Sequence, residues 1–371
     1  MKSACAVVGG QFGSEGKGAI VAHIAQDYDV HVRVGAANAG HTFYTNDGIG
    51  WDDPNSWQKH VMQQLPCAAY ANPAAPMMIG PGALISREVL SREITDLWLW
   101  KKERGMVWHP VYIDYRAHMI SDRQIDRESE TDLARRIGST SAIAREGIGV
   151  AQADRALRSE SCVLAGGYFT DGAHHVREGW IRVINVPEEL ASSNFAKVLL
   201  EGTQGVGLSL TTGHFPYVTS RNTTVAGLCA DCGVAPSKVD RVILVVRTHP
   251  IRVAGNSGPF ALGSEEISWA DIGVDPEEQR TTVTKKIRRV ATFSMDQVIE
   301  ACYLNGATEI ALMFCDQLDD EIKGMTQVEA LDMRHTPHTW SRMTAIEVQT
   351  GVPVRYLGTG PRTIIDLGAR A

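Results

Sequence analysis

The residues from Gly9 to Gly18, Gly-Gly-Gln-Phe-Gly-Ser-Glu-Gly-Lys-Gly, place five glycines and one lysine in ten positions. Glycines let a backbone take positive φ and bring its N–H groups against a ligand, and Lys17 adds a point charge, so this spacing serves phosphate binding. The stretch departs from the Walker pattern, because Gln11 stands where that pattern has its first glycine and Gly18 where it has Ser or Thr. A phosphate loop of another kind is expected. A second small-residue turn, Gly35-Ala-Ala-Asn-Ala-Gly-His-Thr42, carries Asn38, His41 and Thr42. A lone histidine is commonly a hydrogen-bonded structural residue, but the glycine beside it permits the close approach a ligand needs.

Further polar clusters follow. Gly138-Ser139-Thr140 and Gly147-Ile-Gly149 can form simple turns or a phosphate nest. Glu201-Gly-Thr-Gln-Gly205 could send the Gln204 amide into the same cleft, and Thr211 to Thr224 offers His214, Thr219, Ser220, Arg221 and Asn222 to a phosphate monoester. Thr281 to Arg289 packs four cations and three hydroxyls into nine residues. A solvated basic surface is the plain reading; a loop closing on a carboxylate, which Arg binds in bidentate fashion, is the functional one. Cys229 and Cys232 form a single Cys-x-x-Cys without a second pair at zinc spacing, which argues against a metal or redox role.

The elements that must position these groups are apolar, β-branched runs: Ala4 to Val8, Val30 to Val34, Val198 to Leu200, Val242 to Val246, Ile310 to Phe314 and Val352 to Leu357. Continuous apolar runs suit parallel strands covered on both faces, with ligands gathered outside their carboxyl ends. Helices are expected over Ala19 to Ala25, Ser86 to Arg104, the strongly charged Ser121 to Arg136, and Asp154 to Arg158, with Asp47 to Gln58 as a surface excursion.

A net charge of −7 argues against a surface that coats nucleic acid. Seven scattered cysteines do not resemble a disulfide framework. The first apolar run breaks at Gly9, too early for a signal peptide, and eighteen consecutive apolar residues occur nowhere, so a cytoplasmic protein without a membrane span is expected. Length alone suggests two or three domains, although single α/β sheets reach 371 residues by insertion.

Taken in order, Gly10 to Gly18, Asn38 to Thr42, Gly138 to Thr140 with Gly147 to Gly149, Glu201 to Gly205, Pro216 to Ser220, Gly258 to Phe260, Thr281 to Arg289 and Gly360 to Arg362 resemble the motifs of the adenylosuccinate synthetases. The resemblance spans nearly the whole chain. It implies a single α/β domain with insertions over residues 1–371, built on a large, mainly parallel sheet surrounded by helices. It also implies a homodimer in which Arg158 crosses to the other subunit's nucleotide. The implied reaction has two steps: a nucleoside triphosphate phosphorylates O6 of a purine nucleotide, and the amine of L-aspartate then displaces the phosphate. Phosphorylation turns a poor leaving group, the lactam oxygen, into a good one.

Carried onto this sequence, the resemblance makes Ser14, Lys17, His41 and Gln204 the catalytic set, with His41 stabilising charge on the transferring phosphoryl group. Gly13, Glu15, Gly16, Lys17, Gly18, Gly40, Thr42, Gln317, Asp319 and Gly360 would hold the phosphate donor. Ser14, Asn38, Ser139, Thr140, Arg158, Gln204, Thr219 and Val253 would hold the acceptor nucleotide, and Thr284, Lys286 and Arg288 the aspartate. Ser14 and Gly40 would bind Mg²⁺.

Two departures move the implied substrates. Ordinary members carry Asp at position 14, which takes the N1 proton of IMP and binds Mg²⁺; here the residue is Ser14. Serine is a poor base near neutral pH, and a shorter neutral side chain leaves room for a purine 2-amino group. That is similar to the phage-type 2-aminoadenylosuccinate synthetases, which use dGMP to make a 2-aminoadenine precursor; a phage origin would place the enzyme in the host cytoplasm. The N1 base is then open, with Glu15 or a water as candidates. The second departure is Cys315-Asp-Gln-Leu-Asp319 in place of the family's Thr-Lys-x-Asp for GTP, which favours ATP or dATP. Lys286 where Arg is usual weakens recognition of a ribose 2′-hydroxyl, as a deoxynucleotide would allow. The alternatives are a standard enzyme using IMP and GTP, and a nucleotide-binding regulator that has lost catalysis.

Overall fold

The computed structural model describes residues 1–46, 56–138, 144–170, 179–281, 285–328 and 333–368. Ten strands form one sheet in the order Ile181–Ile184, Val111–Asp114, Met77–Ile79, Val30–Arg33, Lys197–Glu201, Ser3–Gly9, Val239–Arg247, Glu309–Met313, Val354–Gly358 and Ile364–Asp366. Every pairing is parallel except the last. The expected large, mainly parallel sheet is therefore present, and the six apolar runs all lie in it. Chain order reverses on either side of Ser3–Gly9, so the crevice at the carboxyl end of that strand is where a ligand is expected.

The alternation of side chains along Ser3–Gly9 shows how the core is divided. Cys5 and Val7 face one side with Ile20, Val21 and Ile24 of the helix Lys17–Ile24. Ala4, Ala6 and Val8 face the other with Val225 and Leu228 of the helix Val225–Cys232 and Val298 of the helix Met295–Asn305. Both faces are buried, which is why the strand reads as continuous apolar sequence and not as alternation.

The helix expected over Ser86 to Arg104 runs Arg87–Glu103, with Ser86 capping it from outside. The single helix expected over the charged Ser121 to Arg136 breaks into Asp122–Ser129 and Leu133–Ile137, and Gln124 and Glu128 are buried. The helix expected at Asp154 starts earlier, over Ile148–Leu157, and Arg158 ends it in the left-handed conformation. The excursion expected over Asp47 to Gln58 lies mostly outside the described residues; its end begins the strand Trp57–Met62, paired antiparallel with His41–Asn46. Cys229 and Cys232 are free and buried in their helix. Among the described residues no helix is long and apolar enough to cross a membrane.

Candidate active site

Register delivers the first pair of charges. Arg33 and Glu201 end neighbouring parallel strands as direct partners, so their side chains emerge side by side at the carboxyl edge. Arg33 Nη1 donates to Glu201 Oε1 at 2.5 Å, and its other arm donates to the carbonyls of Ala39, Met62 and Gln63. Those carbonyls flank the start and end of the His41–Asn46/Trp57–Met62 hairpin, so one buried guanidinium fixes where His41 begins.

Glu201 receives His41 Nδ1 at 2.6 Å and the Cys67 amide at 2.8 Å. Burial alone would raise the Glu201 carboxyl, but Arg33 and His41 outweigh it and hold it at about 2. An ionised Glu201 makes Nδ1 of His41 the protonated nitrogen and leaves Nε2 for a ligand. Burial, helped by Arg33 and Lys17 against the pull of Glu201, lowers His41 to about 4. The ring is therefore neutral at neutral pH, and it donates from Nε2 only when an arriving anion raises its proton affinity. His41, Cys67 and Glu201 lie close enough to suggest a metal cluster. The carboxylate is already occupied by a guanidinium, an imidazole and an amide, so it reads as the support of His41 instead.

The glycine loop is built around its own carboxylate. Glu15 Oε1 accepts from the amides of Gln11 at 3.1 Å and Gly13 at 2.7 Å, and Oε2 pairs with Lys17 Nζ at 2.6 Å. Two glycines make room for this. A Cβ on Gly9 would lie 2.6 Å from Glu15 Oε2, and one on Gly205 would lie 2.3 Å from Oε1. Glu15 is wholly buried, so it organises the loop from within and does not face the cleft as donor ligand or base. Ser14, by contrast, is exposed at φ 57, a conformation uncommon for a residue with a Cβ.

Above the loop lies a cavity of about 570 Å³. Of the residues expected in the site, it brings together Gly13, Ser14, Lys17, Asn38, Gly40, His41, Gln204, Thr219, Val253 and Arg288. Gln204 Nε2 donates to Asn38 Oδ1 at 3.3 Å, which joins two of the turns across the cleft. Ser139, Thr140 and Thr284 lie outside the described residues. Gly16 and Gly18 form the start of the helix behind the loop, and Thr42 is exposed on the hairpin. Arg158 and Lys286 point to solvent. Gly360 and Gln317 stand at the ends of other strands, away from the cavity wall.

Asp319 has a different occupation from the one expected of it. Its carboxylate accepts from the amides of His338 at 3.2 Å and Thr339 at 2.7 Å, holding the start of the helix Pro337–Thr350. The carboxylate with free valence at this turn is Asp316: its Oδ1 is buried without a hydrogen-bond partner, and burial raises its pKa.

Three buried arginines were missed in the sequence. Arg33 is one; Arg247 and Arg252 stack on Phe314 and Phe12 at 3.9 and 4.3 Å from the ring centroids. Arg33 interrupts one apolar run and Arg247 follows another, and a cation in such a place is a signal that could have revealed them. Glu146 also lines the cavity, pushed up to about 8 by burial and by neighbouring Glu128.

Mg²⁺ suits what the cleft offers. Ser14 and Gly40 line the cavity with Lys17, and a serine hydroxyl and a backbone carbonyl are oxygen donors of the hard type. With no ionised carboxylate added by these two, they fit an ion that arrives with substrate phosphates, as Mg²⁺ commonly does.

A glycine loop at the switch point of a parallel sheet, with Lys17, His41 and Gln204 on one cavity, defines a phosphate-handling α/β enzyme. A family model for adenylosuccinate synthetase matches residues 6–165 and 173–349. The adenylosuccinate synthetase of Thermococcus sibiricus is 35% identical over 97% of this chain and 97% of its own length. That of Methanocaldococcus jannaschii is 35% identical over 96% of this chain and 93% of its own. Among solved structures, the succinoaminodeoxyadenylate synthetase of cyanophage S-2L, bound to dGMP and dATP as an energy donor, superposes with a TM-score of 0.79 at 28% identity, covering 100% of this chain and 96% of that one. A fully ligated adenylosuccinate synthetase from Plasmodium falciparum gives 0.78 at 21% identity, over 99% and 100%, and speaks to the fold. The chain belongs to the adenylosuccinate synthetase family, and is thus a carbon–nitrogen ligase of purine nucleotide metabolism.

Proposed function

We propose that the chain joins L-aspartate to dGMP with ATP or dATP as donor, through a 6-phosphoryl intermediate. The observation that carries this reading is Ser14: a short, neutral, exposed side chain on the cavity wall where the family's ordinary members place a carboxylate. The cyanophage neighbour, solved with dGMP and dATP, supports it. The 35% identity to archaeal adenylosuccinate synthetases favours the second reading, IMP with GTP.

In this account Lys17 turns from Glu15 to the donor phosphates, while Glu15 keeps the loop in shape through the Gln11 and Gly13 amides. Mg²⁺, held by Ser14 and Gly40, would neutralise charge on those phosphates. His41 takes up a proton as the phosphates arrive and donates from Nε2 to the transferring group, with Glu201 keeping Nδ1 in place. Gln204 and Asn38 orient the acceptor at O6 and at its phosphate, joined by Thr219, Val253 and, from the loops outside the described residues, Ser139 and Thr140. Arg288, whose Nη1 is held by the Arg280 carbonyl at 2.7 Å, would bind an aspartate carboxylate, joined by Lys286 and, from outside the described residues, Thr284. Arg158 is exposed at the end of its helix, as a residue offered to a second subunit would be. At the donor base, Asp316 replaces Asp319 as the proposed reader.

The test pairs dGMP or IMP with ATP, dATP or GTP in the presence of Mg²⁺ and aspartate, following phosphate release and the succinylated product. Release with dGMP and an adenine donor is expected. Turnover restricted to IMP and GTP would overturn the assignment; nucleotide binding without release from any pair would make the chain a regulator.

A further inference from the structure

Arg247 ends the central strand Val239–Arg247 and is 2% exposed, yet among the described residues no carboxylate forms an ion pair with its guanidinium. A buried cation without such a partner costs stability, so its contacts have to explain its presence. They run to Ser14 on the cavity wall and to the turn behind it. Nη1 donates to the Ser14 carbonyl at 3.2 Å, Nη2 lies 3.5 Å from Gln317 Oε1, and the guanidinium plane sits 3.9 Å from the centroid of Phe314. Gln11 clamps the same residue by its backbone: Gln11 Nε2 donates to the Arg247 carbonyl at 3.1 Å, and the Arg247 amide donates to Gln11 Oε1 at 3.0 Å.

These contacts join the glycine loop to a neighbouring strand end and turn. Gln11 and Ser14 belong to the glycine loop, Phe314 and Gln317 to the turn after Glu309–Met313, and Arg247 lies between them. Ser14 is the one non-glycine residue of the loop at positive φ. Gly13 and Gly16 on either side also have positive φ but meet no steric penalty there. A hydrogen bond from a buried guanidinium to the Ser14 carbonyl restrains the peptide plane that follows Ser14.

We propose that Arg247 is a positioning residue for Ser14, holding its left-handed backbone so that the hydroxyl faces the acceptor purine, and tying that placement to the turn that meets the donor. The inference rests on the reading of Ser14 as the acceptor-facing residue, but its test does not depend on which purine is used. Lys cannot reproduce a planar guanidinium that stacks and donates from two arms.

The experiment is a double-mutant cycle on the full-length protein, with acceptor affinity measured by calorimetry for whichever of dGMP and IMP the wild type turns over. Arg247→Lys should weaken acceptor binding by about ten- to a hundredfold, the range for a lost hydrogen bond to a charged group. Ser14→Gly removes the backbone preference and the hydroxyl together, so Arg247→Lys made in that background should cost no more than about threefold. Equal losses in the two backgrounds would overturn the proposal, because a merely structural arginine does not distinguish Ser14 from Gly. An unchanged acceptor affinity in Arg247→Lys would overturn it as well. Melting curves accompany each variant; where Arg247→Lys does not fold, Arg247→Gln replaces it, with the same two outcomes. If dGMP proves not to be turned over, the substrate assignment fails while this cycle, run on IMP, still decides the role of Arg247.

Discussion

Lys17 Nζ lies 2.6 Å from Glu15 Oε2, and both side chains are all but inaccessible. The cation expected to meet donor phosphates is therefore held by a carboxylate of its own loop before any donor arrives. Glu15→Gln should release Lys17 and so tighten binding of the donor triphosphate. It should also destabilise the protein by about 3–5 kcal/mol, as breaking a buried pair does. A thermal-shift titration checks both: a lower midpoint without nucleotide and a larger rise with it are expected. A smaller rise than in the wild type would mean that Glu15 itself supports the donor.

Glu201 supports His41 and neutralises Arg33, so Glu201→Gln leaves a buried guanidinium without its counter-charge. A loss of about 3–5 kcal/mol is expected, read from the urea midpoint. Turnover should fall further than stability accounts for, because an amide, which can donate as well as accept, no longer fixes the tautomer of His41 as the carboxylate does. A variant that folds well and keeps wild-type turnover would remove the Arg33, Glu201 and His41 arrangement from the mechanism.

The aspartates after Glu309–Met313 should separate. Asp319→Ala should cost about 1 kcal/mol, the worth of a helix-terminal contact, without altering preference among ATP, dATP and GTP. Asp316→Asn should change that preference with little effect on melting. Comparing donor kcat/KM in the two variants decides between them; the reverse pattern would return the base to Asp319.

His31 lies inside the strand Val30–Arg33 at 1% exposure, with neither ring nitrogen hydrogen-bonded. Burial lowers it to about 4, against weaker opposite pulls from Glu201 and Asp29. The unfolded chain binds a proton below about 6.5 that the folded chain refuses until about 4, so stability is full above that window and declines as pH falls through it. The loss approaches about 3 kcal/mol for this group alone. His31→Leu should flatten the pH dependence of the melting temperature between 6.5 and 4; an unaltered slope would assign the acid sensitivity to His41 and His249, which burial also lowers to about 4.

What was legible in the sequence follows from what each residue's environment demands. Strands buried on both faces announce themselves as apolar runs, and the loops after them carried Ser14, Lys17, Asn38, His41 and Gln204 into one cavity. Met77–Ile79, Val111–Asp114 and Ile181–Ile184 escaped notice because three or four residues are too few to show a period. Arg33, Arg247 and Arg252 escaped because their value depends on partners far away in sequence: Arg33 on Glu201, 168 positions on, and Arg247 on Ser14, 233 positions back. Asp319 misled for the same reason, since the helix it holds starts beyond it.

Ser14 remains the residue on which the substrate assignment turns. The most direct measurement offers the wild-type protein equal dGMP and IMP in one vessel, with ATP, Mg²⁺ and aspartate, and weighs the two succinylated products by mass spectrometry. The account predicts that the dGMP product predominates and that Ser14→Asp shifts the ratio toward IMP. Predominance of the IMP product in the wild type would contradict it.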